Sequence, residues 1–278
     1  MLTTSRFALN RIASPGLGLE QFLRLAQSVG LAKVELRNDL SGGRVHDDLS
    51  PERALAALDK LGIQVITINA LQHFNLASLA AELDKELEAM IRTARGIRCP
   101  AVVFCPHNDA ADRRGEAQRY REALTALKRF GPRLADKGML AYLEPLGFAI
   151  SSLNSLATAT RLIEESGFST YRTVFDTFHH FLGPDTAESL KGQPAIKLIE
   201  LVHLSGVYRE VPGNQYLDEH RGLIREGDRL SSREQLEFLS AEGYRGDISF
   251  EPFSPEVQRL PPAELAEALR ASIRALRE

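Results

Sequence analysis

A chain of 278 residues that is 44% hydrophobic and 26% charged has enough apolar material for one large core, which excludes a disordered or fibrous protein. A formal net charge of -3 gives no reason to expect a nucleic-acid surface. The start, MLTTSRFALNRIASPG, has no apolar run of leader length, and no later segment is apolar enough to span a membrane, so a cytoplasmic protein is expected.

RFALN predicts a first strand, and from there one unit recurs along the chain: an amphipathic helix, a glycine, then a short apolar strand ending in polar residues. FLRLAQSVGLAKVELRND shows it first and brings Glu35 near its strand end. ALAALDKLGIQVITINALQH follows, with Asn69 and His73 at the end, and Phe74 and Asn75 just beyond. MIRTARGIRCPAVVFCPH ends at His107 and holds Cys99 and Cys105, the only cysteines. Their spacing fits neither a CxxC redox pair nor a zinc knuckle, as expected in a reducing compartment, and Cys105 reads as a small buried hydrophobe.

FGPRLADKGMLAYLEPL brings Glu144 to the next strand end, and RLIEESGFSTYRTVFDTFHH brings Asp176 with His179 and His180 behind it. AIKLIELVHLSG carries His203, and LEFLSAEGYRGDISFEPF carries Glu251. Each glycine suits the left-handed position that closes a helix. The strands are continuous apolar runs, as required when both faces are buried. About eight strand–helix units predict an α/β fold, a (β/α)8 TIM barrel spanning residues 1–278 as a single domain. A doubly wound open sheet would carry a GxGxxG turn after its first strand, and NRIASPGLGLE lacks that spacing.

The active site of a TIM barrel lies at the C-terminal mouth of its strands. Glu35, His73, His107, Glu144, Asp176, His203 and Glu251 all fall there, on different strands or just beyond them. The full histidine set (His46, His73, His107, His179, His180, His203 and His220) is placed after predicted strands and off every predicted helix. Scattered surface histidines would not sort in this way, so a convergent site is expected. Glu144, Asp176, His203 and Glu251 form the expected metal set. Three carboxylates and one imidazole suit one divalent ion such as Mn, Co, Zn or Mg, and packed carboxylates repel one another without a cation.

His179 is expected either to orient a ligand through a hydrogen bond or to touch substrate or a second metal. At most one of His179 and His180 need face inward. In DEHRGLIREGD, a charged loop after the His203 strand, Arg221 offers a planar donor fork for substrate oxygens. Asn69, His73, Phe74 and Asn75 would line a pocket for a polar ring with one apolar face, Phe74 serving as wall or core.

At VELR, INALQHFN, LEPLGF…SLNSL, FDTFHHFLG, VHLSG, DEHR and SFEPFSPE the chain resembles the xylose-isomerase-like TIM barrels, and within them the inosose isomerases of inositol catabolism. The resemblance implies one metal site made of Glu144, Asp176, His203 and Glu251, with His179 orienting it and Arg221 as a loop arginine. Where relatives tend to have a Pro-Gly-x-Gly segment this chain reads LIREGD, which implies a different substrate-covering loop. The chain also resembles the endonuclease IV enzymes of the same superfamily, multi-zinc nucleases of abasic sites. Their ligand positions match His73, Glu144, Asp176, His179, His203, Asp218, His220 and Glu251. Cys105 stands where that family has histidine, with His107 displaced by two, and no basic DNA-gripping loop is evident. A second metal, if one binds, would draw on His107, Asp218 and His220.

The resulting expectation is a divalent-metal-dependent isomerase of an inosose or similar keto-polyol. The carbonyl would move to the neighbouring carbon through a cis-enediolate, with Glu144 and Glu251 as acid and base and His179, Arg221, Asn69, His73 and Glu35 around the substrate. A dehydratase or sugar epimerase of the same fold begins with the same proton abstraction and stays open, as does the nuclease. A non-catalytic sugar-binding barrel would predict a broken carboxylate set. The expected partner is a small polyol or keto-sugar, with no nucleic acid and no membrane, and a homo-oligomer is compatible with all of this.

Overall fold

Eight short strands pair in parallel, each with its sequence neighbour and the last with the first, into a closed barrel. In this computed structural model, which describes residues 3–40 and 42–277, they are β1 (Phe7–Asn10), β2 (Lys33–Arg37), β3 (Gln64–Leu71), β4 (Ala101–Phe104), β5 (Leu140–Leu143), β6 (Tyr171–Asp176), β7 (Ile199–Leu204) and β8 (Asp247–Phe250). The (β/α)8 TIM barrel expected from the repeat is the fold.

Helices α1 (Leu19–Val29), α2 (Pro51–Leu61), α3 (Ala80–Gly96), α4 (Glu116–Lys137) and α5 (Leu156–Ser166) follow the first five strands in turn. Three short helices follow β6: α6 (Thr177–Leu182), α7 (Ala187–Leu190) and α8 (Pro194–Leu198). A long loop and α9 (Ser232–Ala241) follow β7, and α10 (Pro255–Gln258) and α11 (Pro262–Ala275) follow β8. No helix among the described residues is long and apolar enough to cross a membrane. α1 shows how the helices attach: it buries Leu19, Phe22, Leu23 and Ala26 along one stripe. Truncating Phe22, which is wholly buried, would cost about 3–5 kcal/mol.

Gly30, Gly62, Gly138, Gly167 and Gly243 take positive φ at helix ends, as the repeat predicts. Gly96 departs from that pattern. It stays helical, a Cβ there would come within 3.1 Å of Pro51 Cβ, and Arg98 takes the left-handed turn instead.

The two-residue period of a strand sorts the chemistry. Phe7, Leu9, Val34, Leu36, Leu143, Phe175, Val202, Leu204 and Phe250 join the core between strands and helices. Their alternates Ala8, Tyr142, Val174 and Leu201 form a smaller cluster inside the barrel. Asn10, Glu35, Arg37, Glu144, Asp176, His203 and Glu251 occupy the same inward parity, higher up. Register then sets them side by side: Asn10 opposite Glu35, Glu35 opposite Thr67, Asp176 opposite His203 and His203 opposite Ser249.

Candidate metal and active site

Glu35 belongs to the inward ring and is wholly buried. It accepts from Asn10 Nδ2 at 3.2 Å, from Asn69 Nδ2 at 2.8 Å, and from the Thr67 hydroxyl. His203 Nε2 approaches it at 3.1 Å. Burial alone would push the Glu35 carboxyl up, but the charge and hydrogen bond of His203, helped by Thr67, outweigh it and hold the group at about 2. Glu35 therefore stays ionised and fixes the imidazole through Nε2.

That leaves His203 Nδ1 facing Glu144 Oε1 at 2.7 Å, Glu251 Oε2 at 3.3 Å and Asp176 Oδ2 at 3.9 Å. All four residues are buried, and one ligand atom from each lies within 4.8 Å of the others. Burial disfavours an imidazolium, yet the charges of Glu251, Glu35 and Glu144 hold His203 well above its usual range. The carboxylates thus favour positive charge at this spot, whether a proton or a metal ion. Burial pushes the Glu251 carboxyl up to about 7, with Glu144 adding to the shift and His203 and Arg221 opposing it. Glu144 and Asp176 go the other way. For both, burial is outweighed by cationic neighbours, His203 for Glu144 and Arg221 for Asp176.

The donor set fits a divalent ion. Glu35, Glu144, Asp176 and Glu251 give four buried carboxylates, and the buried guanidiniums beside them, Arg37 and Arg221, are shared with the outer carboxylates Asp39 and Asp218. With His203 neutral, the cluster keeps a net negative charge that one dication would offset. Oxygen donors with a single imidazole suit zinc, manganese, cobalt or magnesium, so this cluster can hold one divalent metal.

Asp176 has two tasks. Its Oδ1 caps α6 by accepting from Phe178 N at 2.7 Å and His179 N at 3.1 Å, while Oδ2 faces the cluster. The cap explains a misreading of FDTFHH, because His179 and His180 lie on a helix that the strand end itself initiates. His179 is buried against Phe148 and Phe178, and its Nδ1 has no partner among the described residues. His180 instead packs on Phe175, ring centroids 4.5 Å apart.

Arg221 reaches the cluster, but its fork is turned toward carboxylates rather than open space. Nη2 donates to Asp176 Oδ2 at 2.5 Å and Glu251 Oε2 at 2.7 Å, and Nη1 to Asp218 at 3.1 Å. The guanidinium also lies over Phe178 and Phe253. Arg37 takes the other oxygen of Glu251 at 2.9 Å and pairs with both oxygens of Asp39 at 2.7 and 2.6 Å. A search of strand ends for histidines and carboxylates passes over Arg37 and Asn10. Their inward parity in VELR and RFALN is the signal that finds them.

His73 and His107 meet just past β3 and β4, Nδ1 to Nδ1 at 3.2 Å. His107, Asp218 and His220 do not converge. Asp218 pairs with Arg221, His220 Nδ1 accepts from Leu217 N at 3.1 Å, and among the described residues one group of three or more ligating side chains forms, the set above. Phe74 is wholly buried wall, and Asn75 is buried as a brace between loops. Cys105 is buried, with its thiol 3.5 Å from Glu144 Oε2.

The model of the family described as xylose isomerase-like TIM barrel matches residues 23–278. The chain belongs to that family. Among xylose isomerase-like proteins of known structure, a xylose isomerase domain protein of Salmonella typhimurium LT2 is 35% identical, covers 100% of this chain and 99% of its own, and superposes with a TM-score of 0.93. The IolI protein, solved with a zinc atom bound, is 21% identical, covers 98% and 97%, and has a TM-score of 0.87. D-psicose 3-epimerase of Clostridium cellulolyticum H10 shares the fold at 14% identity, 98% coverage of each chain and a TM-score of 0.77. In sequence, an inosose isomerase of Halalkalibacterium halodurans is 26% identical over 201 residues, 71% of this chain and 70% of that protein.

Proposed function

We propose that this protein is a divalent-metal-dependent isomerase of an inosose or closely similar keto-polyol, with Glu144 and Glu251 as its acid–base pair. The relatives support the coarser statement, a sugar isomerase or epimerase of this fold. The observation that carries the finer reading is the pair of buried glutamates from β5 and β8 that meet at His203 Nδ1.

Glu144, Asp176, His203 and Glu251 would hold a divalent ion, which would supply Lewis-acid polarisation of a carbonyl and its neighbouring hydroxyl. The chain's own residues then divide the proton work. Among the described residues Glu144 Oε2 is met only by the weak thiol donor of Cys105, so it keeps a lone pair for the proton on the carbon next to the carbonyl. Glu251 has both oxygens engaged, Oε1 by Arg37 and Asn10 and Oε2 by Arg221. It is the fixed partner: protonated at the start, as its raised carboxyl allows, it gives that proton to the adjacent carbon while the hydroxyl proton passes to the former carbonyl oxygen, and the proton taken by Glu144 then restores it for the next turnover. His179, with Nδ1 unpaired and the ring buried at the cluster, is the residue free to hold an oxygen whose charge grows in the transition state. Arg221 and Arg37 hold the carboxylates in place.

The test incubates zinc- or manganese-loaded protein with inososes, ketoses and dehydroshikimate, followed by carbon NMR. Migration of the inosose carbonyl to the neighbouring carbon is expected. Loss of water, inversion at one carbon of a ketose, or cleavage of abasic DNA in place of that migration would replace the reading with a dehydratase, an epimerase or a nuclease.

A further inference from the structure

Phe253 stands two residues past Glu251, just beyond β8. Its ring is half-buried and joins none of the apolar clusters among the described residues. It meets cations instead: the guanidinium carbons of Arg221 and Arg37 lie 4.7 and 5.3 Å from its centroid. Those are the two side chains that hold Glu251, with Arg221 Nη2 2.7 Å from Oε2 and Arg37 Nη1 2.9 Å from Oε1. One ring thus meets both cationic donors of one carboxylate.

A guanidinium donates its hydrogen bonds in its own plane and has none to give through its faces. Both here are buried, Arg37 at 5% and Arg221 at 1% exposure, so water does little to cover those faces. An aromatic ring is a favourable cover for such a cation. The in-plane donors are already engaged, those of Arg37 by both oxygens of Asp39 and those of Arg221 by Asp176 and Asp218. Two cations on one carboxylate repel each other, and attraction to a common ring offsets part of that repulsion. Phe178 also lies by Arg221, at 5.1 Å, but it is committed to an apolar cluster with Val207, Tyr216 and Leu230. The backbone adds a tie: Ser254 N donates to Arg221 O at 2.7 Å, which joins the segment carrying Phe253 to the loop carrying Arg221.

We infer that Phe253 is a positioning residue: it clamps Arg37 and Arg221 together and through them fixes the direction of the Glu251 carboxyl at the carbon it serves. The role in the reaction rests on the keto-polyol reading, while the clamp itself can be measured without substrate. Leucine at 253 keeps an apolar side chain but offers no ring, and tyrosine keeps the ring.

The experiment compares zinc-loaded unaltered protein with Phe253→Leu and Phe253→Tyr, and with Phe253→Met where leucine disturbs the fold. Arginine side-chain ¹⁵N spectra come first, without substrate. The Nε–H protons of Arg37 and Arg221 should exchange with water about tenfold faster in the leucine variant and at the original rate in the tyrosine variant. With an inosose at saturating metal, leucine should cost about 10–30-fold in kcat for carbonyl migration, with KM changed less than about threefold. Exchange of the proton that Glu144 removes should also change less than about threefold, and tyrosine should restore migration. A fault in packing or in the metal site would slow exchange and migration alike, and that outcome would overturn the clamp. Migration at the original rate in the leucine variant, or unchanged guanidinium protection, would overturn it as well. No turnover of any keto-polyol by the unaltered protein would overturn the keto-polyol reading and the role of Phe253 in it, and the guanidinium protons would still decide the clamp.

Discussion

His203 presents Nε2 to Glu35 at 3.1 Å and thereby turns Nδ1 toward three carboxylates. A residue on β2 thus sets the direction of an imidazole on β7, across the barrel. Glu35 can do so because Asn10, Thr67 and Asn69 hold it in place and keep it ionised.

Glu35→Gln keeps an acceptor for Nε2 but removes the charge that makes the imidazole a strong donor to metal. Zinc affinity is expected to fall about 10–100-fold, with the far-ultraviolet spectrum unchanged. Competition against a chromophoric chelator measures it. Equal affinity in the variant and the unaltered protein would show that Glu35 does not tune the ligand.

Gly147, in the LEPLGF segment, lies directly on the backbone at the end of α6. A Cβ there would stand 1.9 Å from His179 O and 2.9 Å from Gly183 N, against atoms that cannot swing away. Gly147→Ala is expected to lose about 1–3 kcal/mol or more and to displace His179. A urea midpoint reads the first effect and zinc affinity the second. A variant as stable as the original would contradict the close approach.

The loop after β4 is held by Asp112, whose side chain is only 3% exposed between Arg114 and Arg119. Hydrogen bonds from Arg114 hold its carboxyl at about 2, against 3.8 for the free group. A depressed carboxyl contributes stability that is complete above the unfolded value and is lost as pH falls through the folded one. Asp112→Asn should therefore lower stability at pH 6 by about 1–2 kcal/mol. The difference between the two proteins should shrink between about pH 4 and pH 2. Melts across that range test it, and a difference independent of pH would remove the ion pair as its cause.

The barrel was legible because both signals that specify it are local. Apolar runs mark strands buried on both faces, and glycines 30, 62, 138, 167 and 243 mark helix ends. Gly96 misleads because the helix runs through it and the left-handed residue comes two positions later, at Arg98, while Gly96 itself packs close against Pro51. The four clustered residues Glu144, Asp176, His203 and Glu251 follow from strand ends plus parity, and parity also contains Asn10 and Arg37. The direction of the Arg221 fork was not legible. It sits in a loop, where long-range pairing with Asp176 and Glu251 outweighs any local pattern. The helix bearing His179 and His180 was hidden for a related reason, since the residue that starts it also ends a strand.

The central claim is that Glu144 and Glu251 move a proton at the carbon beside a carbonyl. The most direct measurement follows deuterium entering that position of an inosose in deuterated water, using Glu144→Gln, Glu251→Gln and the unaltered protein, each at saturating metal. The unaltered protein should exchange the proton and migrate the carbonyl. Glu144→Gln should lose roughly 10²–10⁴-fold in both, and Glu251→Gln should slow carbonyl migration more than exchange, since it retains the abstracting base. Exchange and migration at the original rate in both variants would show that neither carboxylate carries the proton, and the proposed chemistry would be wrong.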